Sequence, residues 1–213
     1  MEFNNTISIA DIISILGLTL SFITLIILFL QRRDTSRIYL SIQDQLESHK
    51  FNSNRFVEDK IVIKLLGDHF ARNVNLKYNL ISENIKLDGD CYKSPNSNNM
   101  ITVRNCKEIN NICPSETINI TDSMKGAIFA ILDTILTSLS TNGNTQSINK
   151  NYIAIRVKYK DINDYVYKQY FILYINILTK NTRIREFTYE TNIVEVNKKK
   201  YNEKLKCKKR YNN

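Results

Sequence analysis

From Ile12 to Leu30 the chain runs nineteen residues without a charge, and Arg32 and Arg33 follow directly after Gln31. At about 1.5 Å per residue, a helix of this length spans roughly the 30 Å hydrocarbon layer of a bilayer. A helix resting on a water-soluble core would carry a polar stripe. Here the polar residues are Ser14, Thr19, Ser21 and Thr24, whose hydroxyls can bond back to the preceding turn. A cleaved secretory signal needs a basic start, a shorter apolar stretch and small residues at the cleavage point. The chain instead offers Glu2 and Asp11 before the run and Phe29-Leu30-Gln31 at its end. A retained, single-pass transmembrane helix, or signal-anchor, is the expectation.

Basic flanks stay on the cytoplasmic side of a membrane. Arg32, Arg33 and Arg37 follow the apolar run, and no Lys or Arg precedes it. Residues 1–11 are therefore expected outside the cell membrane, 12–30 within it, and the remainder in the cytoplasm, with 31–36 as a basic juxtamembrane linker. Asp11 is placed to accept the free N–H groups at the helix start. Ser14, Gly17 and Ser21 lie near one face, and small residues so spaced let two helices approach closely. A homo-oligomer joined through this face is one expectation.

The net charge of +9 is uneven. Lys198, Lys199, Lys200, Lys204, Lys206, Lys208, Lys209 and Arg210 stand against Glu203 alone, so seven of those nine charges lie in residues 198–213. That segment reads as a disordered polybasic tail. Close to an anionic leaflet each basic residue contributes about 1 kcal/mol of attraction, so lipid headgroups are the expected contact. Nucleic acid is a poorer fit, because binding it takes a basic folded face with aromatics for the bases. Cys91, Cys106, Cys113 and Cys207 include no CxxC pair and make a poor zinc site.

Between anchor and tail, residues 37–197 are long enough for one domain with its own core. Period-two alternation marks strands at 37–43, 60–66, 72–81, 152–160, 165–178 and 183–196, with shorter ones near 100–105 and 113–121. The strands 60–66 and 72–81 read as a hairpin about "GDHFA", and the last three long strands as a meander. Residues 45–56 read as a loop and 84–111 as a long connection. Ile128, Ile131, Leu132, Ile135, Leu136 and Leu139 fall at helical spacing, with Asp122 or Ser123 as N-cap and Asn142-Gly143 as the stop. The expected fold is mainly β: an antiparallel sandwich or partly open barrel with one crossing amphipathic helix, preceded by the transmembrane helix.

The order of helix, arginines and strands, with "IVIKLLGDHFARNV", "CPSETINI" and "YIAIRVKYKDINDYVYKQYF", resembles uncharacterised prokaryotic single-pass membrane proteins with a compact, largely β domain. Gly67, Ala71, Asn73 and Val74 match their strand-to-glycine turn, and Tyr159 and Asp161 their later hairpin. Leu66 replaces a polar residue usual before that glycine, and Asn163 a glycine of the second turn. The resemblance implies a fold and a topology, and no activity.

Chemistry-bearing residues are sparse. His49 falls in a polar loop, and His69 beside Asp68 in a turn. Neither pattern assembles acid–base machinery, and no nucleophile elbow, zinc-protease or phosphate-loop motif is present. Asp161 and Asp164 fit a capped turn better than a cation site, since Lys160 adjoins them. The expectation is a protein without catalytic activity, metal or cofactor: a membrane-anchored cytoplasmic binding, sensing or scaffold module with an unidentified protein partner. The tyrosines of 152–174 are expected to pack in the core, or to form a partner surface. The alternative is a ligand-gated membrane effector that oligomerises on binding a small anion, with Arg156, Lys158 and Lys160 as the anion-binding face.

Overall fold

The structure is a computed structural model that describes residues 9–35, 38–46, 48–52, 60–82, 85–94, 100–103, 105–142, 151–181 and 186–211. The chain divides into two compact units, Met1–Arg37 and Ile38–Asn213. The first contains helix α1, Ile9–Thr35. Its Ile9–Arg32 stretch is long and apolar enough to cross a membrane, and its side chains are exposed. The hydroxyls of Ser14, Ser21 and Thr24 donate to the carbonyls of Ala10, Gly17 and Leu20, each at 2.8 Å. Asp11 lies in the first described turn, where a carboxylate complements the helix dipole.

The second unit is mainly β, with antiparallel sheets that curl, and strands make up 49% of the structure as a whole. In chain order its elements are β1 (Tyr39–Asp44), β2 (His49–Asn52), β3 (Ile61–Leu66), β4 (Ala71–Ile81), β5 (Leu87–Asp88), β6 (Cys91–Lys93), β7 (Met100–Thr102), β8 (Cys106–Ile112), β9 (Thr117–Asn119), α2 (Thr121–Asn142), β10 (Tyr152–Lys160), β11 (Val166–Asn181), β12 (Glu186–Val196) and α3 (Lys198–Tyr211). They form three sheets: β1-β3-β9, β2-β12-β11-β10-β4-β8 and β5-β6-β7. The β10–β11–β12 meander runs as the alternation of apolar residues predicts.

Three local expectations are corrected. β3 and β4 do not form a hairpin: β3 is flanked by β1 and β9, and β4 by β10 and β8, so neither strand has a free edge for the other. The connection through Gly67, at φ 134°, carries the chain from one sheet to the next. The supposed loop 45–56 contains β2, whose His49 and Phe51 are both buried. A histidine in the inward position hid the alternation. The long connection 84–111 holds a small sheet of its own, β5-β6-β7, and leads into β8.

Asn73 sits in the left-handed region at φ 50°. The register between β4 and β10 shifts there, Lys158 opposing Asn75 and Lys160 opposing Arg72. This is a β-bulge, and Asn tolerates the conformation better than most non-glycine residues.

One apolar core gathers the inward residues of all three sheets around α2. Residues 127–136 of α2 are buried without interruption, so this helix is enclosed on every side rather than laid amphipathically on a sheet. Neither Asp122 nor Ser123 caps it: Ser123 is buried within the first turn, and its Oγ donates to the Ile120 carbonyl at 2.6 Å. Gly126 is required by packing, because a Cβ there would lie 2.2 Å from the Thr102 carbonyl oxygen of β7. Asp133, also buried, accepts hydrogen bonds on Oδ2 from Ser94 at 2.7 Å and Tyr92 at 3.1 Å. These bonds tie the β5-β6-β7 sheet to the helix, and burial pushes the Tyr92 phenol well above its usual range.

The last segment also departs from expectation. Residues 198–211 form α3 rather than a disordered tail. Asn197 caps it, accepting from Lys200 N–H at 2.8 Å. Tyr201 is 3% exposed and joins Ile81, Tyr152, Ala154, Ile172 and Val196 in a second, smaller core on the outer face of the six-stranded sheet. An apolar pair, Tyr201 and Leu205, spaced one helical turn apart among lysines suffices to dock it.

Candidate anion-binding face

The outer face of the six-stranded sheet is set by ladder register. In one row Lys77 of β4 lies opposite Arg156 of β10, and Arg156 opposite Tyr170 of β11. In the next row Asn75 lies opposite Lys158, and Lys158 opposite Lys168. Strands are about 4.8 Å apart, and same-face residues along a strand about 7 Å. Lys77, Arg156, Lys158 and Lys168 therefore form a staggered block of cations over three strands, two of them on β10 and one each on β4 and β11. Lys77, Lys158 and Lys168 are exposed and Arg156 is half-buried.

The carboxylates of this face stand at its margins and are engaged elsewhere. Glu108 accepts from Asn75 Nδ2 at 2.9 Å, and Glu190 from Asn176 Nδ2 at 3.1 Å. Among the described residues, no ion pair neutralises any of the four cations.

Of the three residues expected to bind anions, Arg156 and Lys158 belong to the block and Lys160 does not. Its Nζ lies 3.5 Å from Asp164 Oδ1, which also pairs with Arg72 at 3.1 Å. Asp161 Oδ1 accepts from Asn163 N–H at 2.8 Å and Tyr165 N–H at 2.9 Å, closing the turn. The expected polybasic contact is also redistributed. Lys198, Lys199, Lys200 and Lys206 are exposed, whereas Lys204 turns onto the sheet with its ammonium 4.9 Å from the Tyr152 ring centroid. The side chains of Arg33, Lys208, Lys209 and Arg210, and all of Arg37, lie outside the described residues. Arg32 is exposed on α1, as are Ser14, Gly17 and Ser21. Lys77 and Lys168 were not singled out by the sequence, where they lie 91 positions apart.

Two further features sit at the seam between β1 and the six-stranded sheet. A cleft of about 240 Å³ is lined by residues of β1, β11 and β12 together with Leu66. At its floor the buried Gln169 amide accepts from Leu40 N–H at 2.9 Å and donates to the Leu40 carbonyl at 3.2 Å, doing for the β1 edge what a neighbouring strand does elsewhere. Nearby, His49 Nε2 lies 2.6 Å from Asp44 Oδ2, with Thr191 Oγ1 donating to the same oxygen. His49 stacks on Tyr189 with centroids 5.0 Å apart. Burial pushes the Asp44 carboxyl up, but hydrogen bonds from His49, Thr191 and Leu46 N–H outweigh it and hold the group below its ordinary value. The carboxylate, not the imidazole, is the shared centre. The set therefore locks β1 to β2 and β12.

The chain matches no family model, no curated protein and no solved structure.

Proposed function

We propose that the chain is a single-pass membrane protein whose β domain is a cytoplasmic binding module, with the outer face of its large sheet engaging an anionic partner. One observation carries this reading: two like-charge pairs, Lys77 with Arg156 and Lys158 with Lys168, stand directly opposite each other across adjacent ladders. Like charges so placed cost stability. A bound anion offsets that cost. Arg32, Arg33 and Arg37 after the apolar helix support a cytoplasmic domain. Confinement to the membrane raises the local concentration of any partner held there. The exposed lysines of α3 add attraction toward anionic lipid. No catalytic step is assigned.

The test is a titration of the full chain, in a neutral detergent, with heparin at fixed ionic strength. Binding should raise the unfolding midpoint, and a K158Q/K168Q variant should bind about tenfold more weakly or worse. Equal responses from both chains would remove the sheet face from the proposal.

A second reading, a ligand-gated effector that oligomerises, draws on α1. Nothing lies within 4 Å of the position a Cβ would take at Gly17. The hydroxyls of Ser14 and Ser21 are satisfied within the helix. That leaves a smooth, small-residue strip for a second copy.

A further inference from the structure

We propose that one rim of the β domain, carrying Tyr39, Leu66, Phe70, Ile162 and Val166, rests in the lipid headgroup layer as a membrane contact additional to the transmembrane helix. The five residues come from three stretches of the chain, and the ladders bring them to one end of the domain. Tyr39 pairs with Leu66 in the β1–β3 register. Phe70 ends the connection from Leu66 into β4. In the next sheet Arg72 opposes Lys160, which opposes Val166. Arg72 Nη2 donates to the Ile162 carbonyl at 3.4 Å, and Tyr159 donates its hydroxyl to the Ile38 carbonyl, tying the 161–165 turn to the start of β1.

All five side chains are open to solvent: Tyr39 45%, Leu66 48%, Phe70 42%, Ile162 39% and Val166 49%. Among the described residues of this unit nine large apolar side chains are exposed, the others being Leu46, Met100, Leu178 and Val194. Single exposed apolar residues are ordinary, whereas five gathered at one end mark a contact surface.

Chain continuity names the occupant. This inference rests on the reading of Ile9–Arg32 as a retained anchor. Only residues 36–38 separate Thr35, the last residue of α1, from Tyr39. Four steps of chain reach at most about 14 Å, so the rim is leashed to the membrane surface. Tyrosine and phenylalanine suit the interfacial layer, where an apolar ring meets water. The rim's Asp164 is paired with both Arg72 and Lys160, while Asp68 is exposed. The contact is accordingly driven by apolar side chains and needs no anionic lipid.

The chain contains no tryptophan, so a single introduced indole reports its own surroundings. Phe70→Trp, Ile162→Trp and, as a control, Val194→Trp on β12 each replace an already exposed side chain. Each full chain is placed in phosphatidylcholine nanodiscs with brominated acyl chains. F70W and I162W should show blue-shifted emission quenched about twofold more than V194W. Quenching at both rim sites no stronger than at the control, in chains that co-elute with the disc, would overturn the rim contact and leave the anchor standing. Failure to co-elute with lipid would overturn both.

Discussion

At Gly126 a substitution that ordinarily favours a helix should break this one. Alanine exceeds glycine by about 1 kcal/mol in helix propensity, but here its methyl would meet the Thr102 carbonyl at 2.2 Å. Overpacking against backbone costs about 1–3 kcal/mol. Gly126→Ala should therefore lower the denaturant midpoint of the full chain by about 2 kcal/mol equivalent. An unchanged or higher midpoint would show that β7 yields. Asp44 makes a second prediction, in pH. Its folded carboxyl titrates below the ordinary value of an aspartate, so its bonds contribute fully above that ordinary value and are lost as pH falls through the folded one. Stability should decline on acidification below about pH 4, and Asp44→Asn should flatten that decline while costing about 1–3 kcal/mol at neutral pH. Equal acid slopes in the two chains would remove Asp44 from the account. The sequence did not point to this residue's role, because Thr191 reaches it from 147 positions away and His49 from a strand that was read as a loop.

Among elements, those governed by their own periodicity were readable and those governed by tertiary partners were not. The apolar helix and the β10–β11–β12 meander follow directly from runs of side chains. β2 was hidden by the inward His49, and the expected β3–β4 hairpin by the fact that adjacency in sequence says nothing about which edges are occupied. α3 was masked by its lysines, since only Tyr201 and Leu205 mark its docking face. Tyr201→Ala should release α3 with little effect on the sheets. Hydrogen exchange would then show protection lost over residues 198–206 and kept in β10 and β11. Protection kept in α3 would mean the lysines hold it. On α1, Gly17→Ile should abolish any disulfide-independent cross-linked dimer in membranes, because a branched side chain fills the strip that close helix approach needs. A dimer unaffected by that change would place association elsewhere.

For the molecule as a unit, a mainly β domain behind an apolar helix was legible because alternation and hydrocarbon-length runs are local signals. The cation block was half legible. Arg156 and Lys158 share one strand, but Lys77 and Lys168 join them only through register. The apolar rim was not legible at all, since its five residues are scattered over three stretches of the chain and are unremarkable singly. On the proposed reading, function resides in surfaces that strand pairing assembles, and the three arginines after the apolar helix favour a cytoplasmic orientation. That orientation is checked by thiol labelling in intact cells. Cys113 is exposed in the structure, and a chain keeping it as the sole cysteine would be treated with a membrane-impermeant maleimide. Protection until the membrane is permeabilised is the expected result. Modification in intact cells would put the β domain outside and contradict the cytoplasmic binding module.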